Sequence, residues 1–307
     1  MFDSTLARRA ARLLRGLAIA VTLGAGAALA AAPPAVVATG LQFPEGLVFV
    51  GNTLYFVDYA SSEVLRLRAG KVERVWHQAG CGANGLAPVP SGLLVACYES
   101  GVVVRITLDG VVHETIRADD KGHPFVAPND LAADARGGVY FTASGSGAVP
   151  GKLFYRRPDG RVVEVASGMQ NANGVVVSLD GRQLYLGESG KQRLLVFDVS
   201  EAGALSRQRE FARLGAILSS PGQTEFVPDG VRIDSNGNLF VALYRGGGFA
   251  VISPQGELVR EVDLPGAHHS NLAISPDGKH VILSSIEDDP AGGYRGELIE
   301  VPNPVAP

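Results

Sequence analysis

The sequence predicts an all-β fold, a six-bladed β-propeller, and three observations carry that prediction. One hairpin plan recurs six times along the chain. The key positions of the copies, Glu45, Asn84, Asn129, Asn173, Asp229 and Asn271, are 39, 45, 44, 56 and 42 residues apart, the spacing of propeller blades with several strands each. Every one of those positions is a carboxylate or a carboxamide at the start of an innermost strand, so a closed ring directs all six toward one axis.

The plan is clearest at 227–243. Asp229-Gly230 opens a short apolar strand, Ser235-Asn236-Gly237-Asn238 turns it, and Leu239-Phe240-Val241-Ala242-Leu243 returns. Asn-Gly between apolar runs is a strong hairpin signal because both residues tolerate positive φ. The other copies begin at Pro44-Glu45-Gly46-Leu47, Ala83-Asn84-Gly85-Leu86, Pro128-Asn129-Asp130-Leu131, Ala172-Asn173-Gly174-Val175 and Ser270-Asn271-Leu272-Ala273.

In chain order, residues 1–32 read as a secretory signal: Arg8, Arg9, Arg12 and Arg15, an apolar run from Leu17 to Ala31, then small residues suited to cleavage. The run is shorter than the ~20 residues a membrane span prefers, so no stable membrane insertion is expected after cleavage. Removing the segment moves the net charge from −4 to −7. The expected mature protein, residues 33–307, is one acidic propeller domain, periplasmic or secreted, and an acidic surface argues against a nucleic-acid partner. Ala35–Thr39 is a β-prone segment expected to complete the last blade by strand exchange. Cys81 and Cys97 flank one hairpin and come into one neighbourhood; a disulfide and a pair of buried thiols are both open, and a bridge there is worth about 3 kcal/mol in the chain-entropy treatment. Val64–Leu67, Val102–Ile106, Leu153–Arg156, Leu194–Phe197 and Phe249–Ile252 read as third strands. The long fourth unit suggests an insertion over Ser200–Gln223 with a short helix that covers one face. Asp109, Asp159, Asp180 and Asp277, each before glycine, belong to turns.

The axial set has its own chemistry. Two carboxylates held together near an axis repel, and burial raises their pKa unless a cation sits between them. Glu45, Asn129, Asn173 and Asp229 form an all-oxygen donor set that suits Ca²⁺ best, with Mg²⁺, Mn²⁺ or Zn²⁺ as alternatives. At any single position a turn or strand cap is the better explanation of an Asx residue; six positions in register favour the metal. A Gly-x-Ser-x-Gly elbow and a Walker glycine pattern are both missing from the sequence. Arg245-Gly246-Gly247-Gly248 reads as a turn whose arginine can face a substrate.

Glu-Gly in the first copy, Asn-Asp-Leu in the third, Ala-Asn-Gly in the fourth and Pro-Asp-Gly-Val with Asn-Leu-Phe-Val-Ala in the fifth resemble the senescence-marker-protein/gluconolactonase family over about residues 41–301. The resemblance implies a metal-dependent lactonase, a small-molecule lactone or ester as substrate, Glu45, Asn173 and Asp229 as direct ligands, and Asn129 as a ligand or a contact to water or substrate. Where the sugar-lactone branch of that family carries an arginine, this chain has Ala127, which moves the expectation toward a more apolar or differently decorated ester. Asp229 is the first candidate for general base and His268 or His269 the second. A phosphotriesterase on the same site and a non-catalytic binding scaffold with a structural ion are the rival readings.

Overall fold

The computed structural model describes residues 33–90, 92–218 and 225–306. The signal-peptide reading of residues 1–32 lies outside them. Among the described residues, no helix is long and apolar enough to cross a membrane.

Six four-stranded antiparallel sheets form the blades. Their innermost strands are Pro44–Val50, Ala83–Val89, Pro128–Ala133, Ala172–Val177, Val227–Ile233 and Leu272–Ile274. The last blade is completed by Ala35–Leu41, which pairs antiparallel with Tyr294–Pro302, Val36 opposite Ile299. The expected strand exchange therefore closes the ring.

Packing follows from the two-residue period of a strand, which sends alternate side chains to opposite faces. In the second strand of blade 1, Thr53–Asp58, Tyr55 and Val57 pack with Leu86, Val95 and Val104 of blade 2, whereas Leu54 and Phe56 pack with Ile282, Leu298 and Ala38 of blade 6. Comparable apolar clusters join the remaining neighbours around the ring. Both faces of a blade are thus buried, which is why the second and third strands read as near-continuous apolar runs. Each fully buried Leu or Phe is worth roughly 1.5–3 kcal/mol.

The fourth unit differs from expectation. Leu205–Arg213 is the fourth strand of blade 4, paired with Arg193–Val199, and the helical turn that follows is only Leu214–Ile217. Residues 200–213 are thus ordinary blade, read as extra because their Arg- and Glu-rich sequence lacks apolar alternation, the expected short helix is that turn, and residues 219–223 of the expected insertion lie outside the described residues. Cys81 and Cys97 form a disulfide with Cα atoms 4.6 Å apart. The turn reading of the Asp-Gly pairs holds for Asp180, which accepts from the Ser178 hydroxyl (2.6 Å) and the Arg182 N–H (3.0 Å), and for Asp277, which does the same with Ser275 (2.6 Å) and Lys279 (3.1 Å).

Candidate active site

The axial residues are placed by a repeated backbone irregularity. In five blades the register of the innermost strand slips just past the axial position, between Glu45 and Val48, Ala83 and Leu86, Pro128 and Leu131, Ala172 and Val175, and Pro228 and Val231. A bulge of this kind re-aims side chains. The glycine that usually follows the axial residue has a second use. A Cβ on Gly46, Gly85, Gly174 or Gly230 would collide with the axial residue of the next blade, respectively Asn84, Asn129, Asp229 and Asn271. The glycines let adjacent inner strands approach closely enough to crowd polar side chains onto one axis.

Glu45, Asn84, Asn129, Asn173 and Asp229 line a cup of about 380 Å³, with Phe43, Tyr59, Tyr98, Asn171, Val227, Tyr244, Arg245 and Tyr294 around them. Past Tyr98 and Asn171 the cup adjoins a groove walled by the turn at 144–150. Burial pushes the Glu45 carboxyl up from 4.5 to about 7, with the charge of Asp130 adding to it and the Ser270 hydroxyl, the Gly46 N–H and Asn271 opposing. Asp229 is raised well above the usual carboxylate range by burial first, then by the charges of Glu45 and Asp130. Two buried acids in one cup, the charge of Glu45 raising the proton affinity of Asp229, make an electrostatic vacancy for positive charge.

The carboxamides fit the same demand. Asn129 Nδ2 donates to Ser144 Oγ (3.1 Å), whose proton goes to the Ala172 carbonyl (2.9 Å), so the amide is oriented and its oxygen is left for the cup. The Asn173 side chain lies beside Asp229 and favours its charged form, while the Asn173 Oδ1, fully buried, has no hydrogen-bond partner among the described residues. An orphaned buried acceptor costs free energy unless something electropositive meets it. Among the described residues no group of three or more His, Cys, Asp and Glu gathers. The donors are two carboxylates and neutral amide oxygens, the set a hard divalent cation accepts.

Asn271 departs from its series. Its Oδ1 accepts from Arg232 Nη2 (3.0 Å) and the Leu47 N–H (3.3 Å), and it does not line the cup. It belongs to the floor beneath. There Arg232 Nη1 donates to Asp130 Oδ2 (2.9 Å) and Nη2 to the Leu47 carbonyl (3.3 Å), while Asp130 Oδ2 also accepts from the Val175 N–H (3.2 Å). This floor ties together five blades, through Asn271 at its own axial position and Leu47, Asp130, Val175 and Arg232 one to three residues beyond theirs.

The two histidines stand differently to the cup. His269 is fully buried, donates Nδ1–H to the Ser284 carbonyl (2.9 Å), and is held below its ordinary pKa chiefly by burial. His268 stacks on Tyr244 with centroids 4.6 Å apart and lies 3.4 Å from Asp288. Neither lines the cup, because the chain before Asn271 pairs His268 with Ile286 and so runs back along the blade. The sequence reading also passed over Asp130, Arg232 and the aromatic rim. Asp130 is signalled by the one copy in which Asn is followed by Asp in place of Gly or Leu; Arg232 is a charge within an apolar inner strand. Tyr59, Tyr98 and Tyr244 stand 14, 14 and 15 residues after Glu45, Asn84 and Asp229, a second register inside the first.

Comparison with known proteins agrees with this geometry. The family model described as SMP-30/gluconolactonase/LRE-like region matches residues 43–287. The chain belongs to that family. It is 25% identical over 277 residues to the diisopropyl-fluorophosphatase of Loligo vulgaris, covering 80% of this chain and 86% of that one. It is 27% identical over 286 residues to the gluconolactonase of Zymomonas mobilis, covering 82% and 79%. Among solved structures, XC5397 of Xanthomonas campestris, described as a gluconolactonase, superposes with a TM-score of 0.72 at 22% identity over 88% of this chain and 89% of that one. A calcium-binding regucalcin of Agrobacterium tumefaciens gives 0.68 at 19% identity over 90% and 97%. At those identities the two structures bear on the fold, the six-bladed propeller; the relatives make this a hydrolase-family chain of lactonase kind.

Proposed function

We propose that the protein hydrolyses a lactone or related ester to a hydroxy acid with one divalent cation, calcium by preference, held at the cup floor by Glu45, Asn129, Asn173 and Asp229. The observation that carries the reading is the pairing of two buried, mutually repelling carboxylates with an unpartnered Asn173 oxygen in the one cup a lactonase-family ring presents. When bound, the cation supplies Lewis-acid polarisation of the carbonyl. The chain's own residues do the rest. Asn129, its amide locked by Ser144, fixes one wall of the site. Asp229 receives the proton of the attacking water on a carboxylate oxygen, with the Asn173 side chain beside it favouring its charged form. The largely buried Asp130–Arg232 ion pair braces the floor beneath them.

Relatedness to the fluorophosphatase supports a second reading, phosphotriester hydrolysis in the same cup. Export is also part of the proposal, and the Cys81–Cys97 bridge supports an oxidising compartment. The test is acid release from a panel of lactones and organophosphates by metal-stripped protein, with and without added calcium. Calcium-dependent lactone opening is expected. Calcium-dependent turnover of organophosphates alone would transfer the function to the second reading, and turnover unaffected by calcium removal would overturn the metal assignment.

A further inference from the structure

The rim of the cup is not symmetric. Blades 5, 6, 1 and 2 contribute Tyr244, Tyr294, Phe43, Tyr59 and Tyr98, whereas blades 3 and 4 contribute only asparagines to the lining. Four of the chain's eight tyrosines therefore stand on one side of one cavity. Their rings form a continuous array. Phe43 packs edge-on against Tyr59 (centroids 5.6 Å, 62°) and Tyr294 (4.8 Å, 80°) and lies 6.2 Å from Tyr244, while Tyr59 meets Tyr98 edge-on at 6.0 Å. Each of the five residues is half-buried, so each ring is anchored by its neighbours and still meets the cavity. The charge of Asp229 reaches the Tyr98 and Tyr244 phenols, which places the array beside the reacting carboxylate. Arg245, at the same rim, is exposed, lies 5.9 Å over the Tyr244 ring and makes no ion pair among the described residues.

A sugar lactone has hydroxyls on both faces and needs polar partners around it. This crescent offers rings whose faces and edges favour another flat ring, a preference beyond simple area burial. We infer that the crescent selects a lactone or ester whose acyl portion carries a planar aromatic ring, which packs against Phe43, Tyr98 and Tyr244 while the carbonyl sits over the cup floor. The inference rests on the lactone-hydrolase reading for its chemistry and on the rim alone for its specificity.

The two are separable by experiment. Turnover of δ-valerolactone is compared with that of 3-isochromanone, a benzo-fused six-membered lactone whose leaving oxygen remains on an aliphatic carbon, each rate corrected for its alkaline hydrolysis. In parallel, binding of phenylacetate and cyclohexylacetate to the calcium-loaded protein is measured by calorimetry, for wild type, Phe43→Leu and Phe43→Tyr. The expected result is a KM for the aryl lactone lower by roughly three- to ten-fold and phenylacetate bound tighter than cyclohexylacetate by a similar factor, both preferences lost in Phe43→Leu and retained in Phe43→Tyr. Turnover of both lactones with equal KM and no phenyl preference in binding would overturn the inference and leave the hydrolase reading intact. Failure of every lactone with a phenyl preference that depends on Phe43 would leave the aromatic site standing and overturn the hydrolase reading. Failure of both measurements would overturn both.

Discussion

Asp180 and Asp229 are the same residue type before the same residue type, Asp-Gly, and the structure puts them to opposite uses. Asp180 lies at a hairpin turn, where the Ser178 hydroxyl and the Arg182 N–H pull its pKa below the ordinary 3.8. Asp229 begins an inner strand, and burial together with Glu45 and Asp130 drives its pKa the other way. The turn carboxylate has every partner it needs and the axial one has a deficit. What distinguishes them is place in the blade rather than local sequence: at the turn the backbone folds back onto the side chain, whereas at the axis the backbone donors are consumed by the sheet and closure of the ring brings the acids Glu45 and Asp130 of blades 1 and 3 toward it.

The comparison breaks most visibly at its counter-charge. Arg232→Met leaves Asp130 buried beneath Glu45 and Asp229 without its cation, and loss of one partner of a buried pair costs about 3–5 kcal/mol. Denaturant unfolding in excess calcium reads that loss, and Asp130→Asn on the Arg232→Met background recovers part of it. A loss below about 1 kcal/mol would show that the floor does not offset the axial charge.

A smaller effect follows from pH. Glu45 binds its proton more tightly folded than unfolded, near 7 against 4.5, and Asp229 shifts in the same direction. The stability Glu45 lends to the metal-free protein is therefore complete below about pH 4.5 and lost as pH rises through about 7, and that of Asp229 likewise falls with rising pH. Melting of calcium-stripped protein between these limits should fall with rising pH, and Glu45→Gln should flatten the slope. A slope that persists unchanged in Glu45→Gln would assign it elsewhere. The smallest effect belongs to the turn: Asp180→Ala removes two hydrogen bonds at an exposed position, costs about 1 kcal/mol or less, and leaves calcium binding and the pH slope as they were. A change in either would erase the distinction between turn and axis.

Much of this arrangement is legible in the chain. The six-fold register of Glu45, Asn84, Asn129, Asn173, Asp229 and Asn271 predicts the ring because a hairpin per repeat needs turn residues at fixed offsets. Strand exchange follows because Ala35–Leu41 has no other edge to pair with. Hydrophobic pattern speaks less clearly where a strand is exposed on both faces, and Leu205–Arg213 was misread for that reason. The floor and the rim were hidden by a different cause. Asp130 and Arg232 are 102 residues apart and meet only when the ring closes, and Phe43 and Tyr294 meet only across the closing blade. Asn271 shares its position with the other five but not their use, because the pull of Arg232 is felt only in three dimensions. Sequence proximity to Asn271 puts His268 and His269 alike near the mouth; the structure separates them, with His268 stacked on the rim Tyr244 and His269 buried against the Ser284 carbonyl.

The central claim is that the axial set is a cation site and that Asp229 is part of it. Calorimetric titration of metal-stripped protein with calcium tests it most directly, with Asp229→Ala and Asp180→Ala side by side. The account predicts one calcium per chain in wild type and in Asp180→Ala, and none in Asp229→Ala at the same concentrations. Equal binding by Asp229→Ala, or no binding by wild type to calcium, manganese, magnesium or zinc, would contradict it.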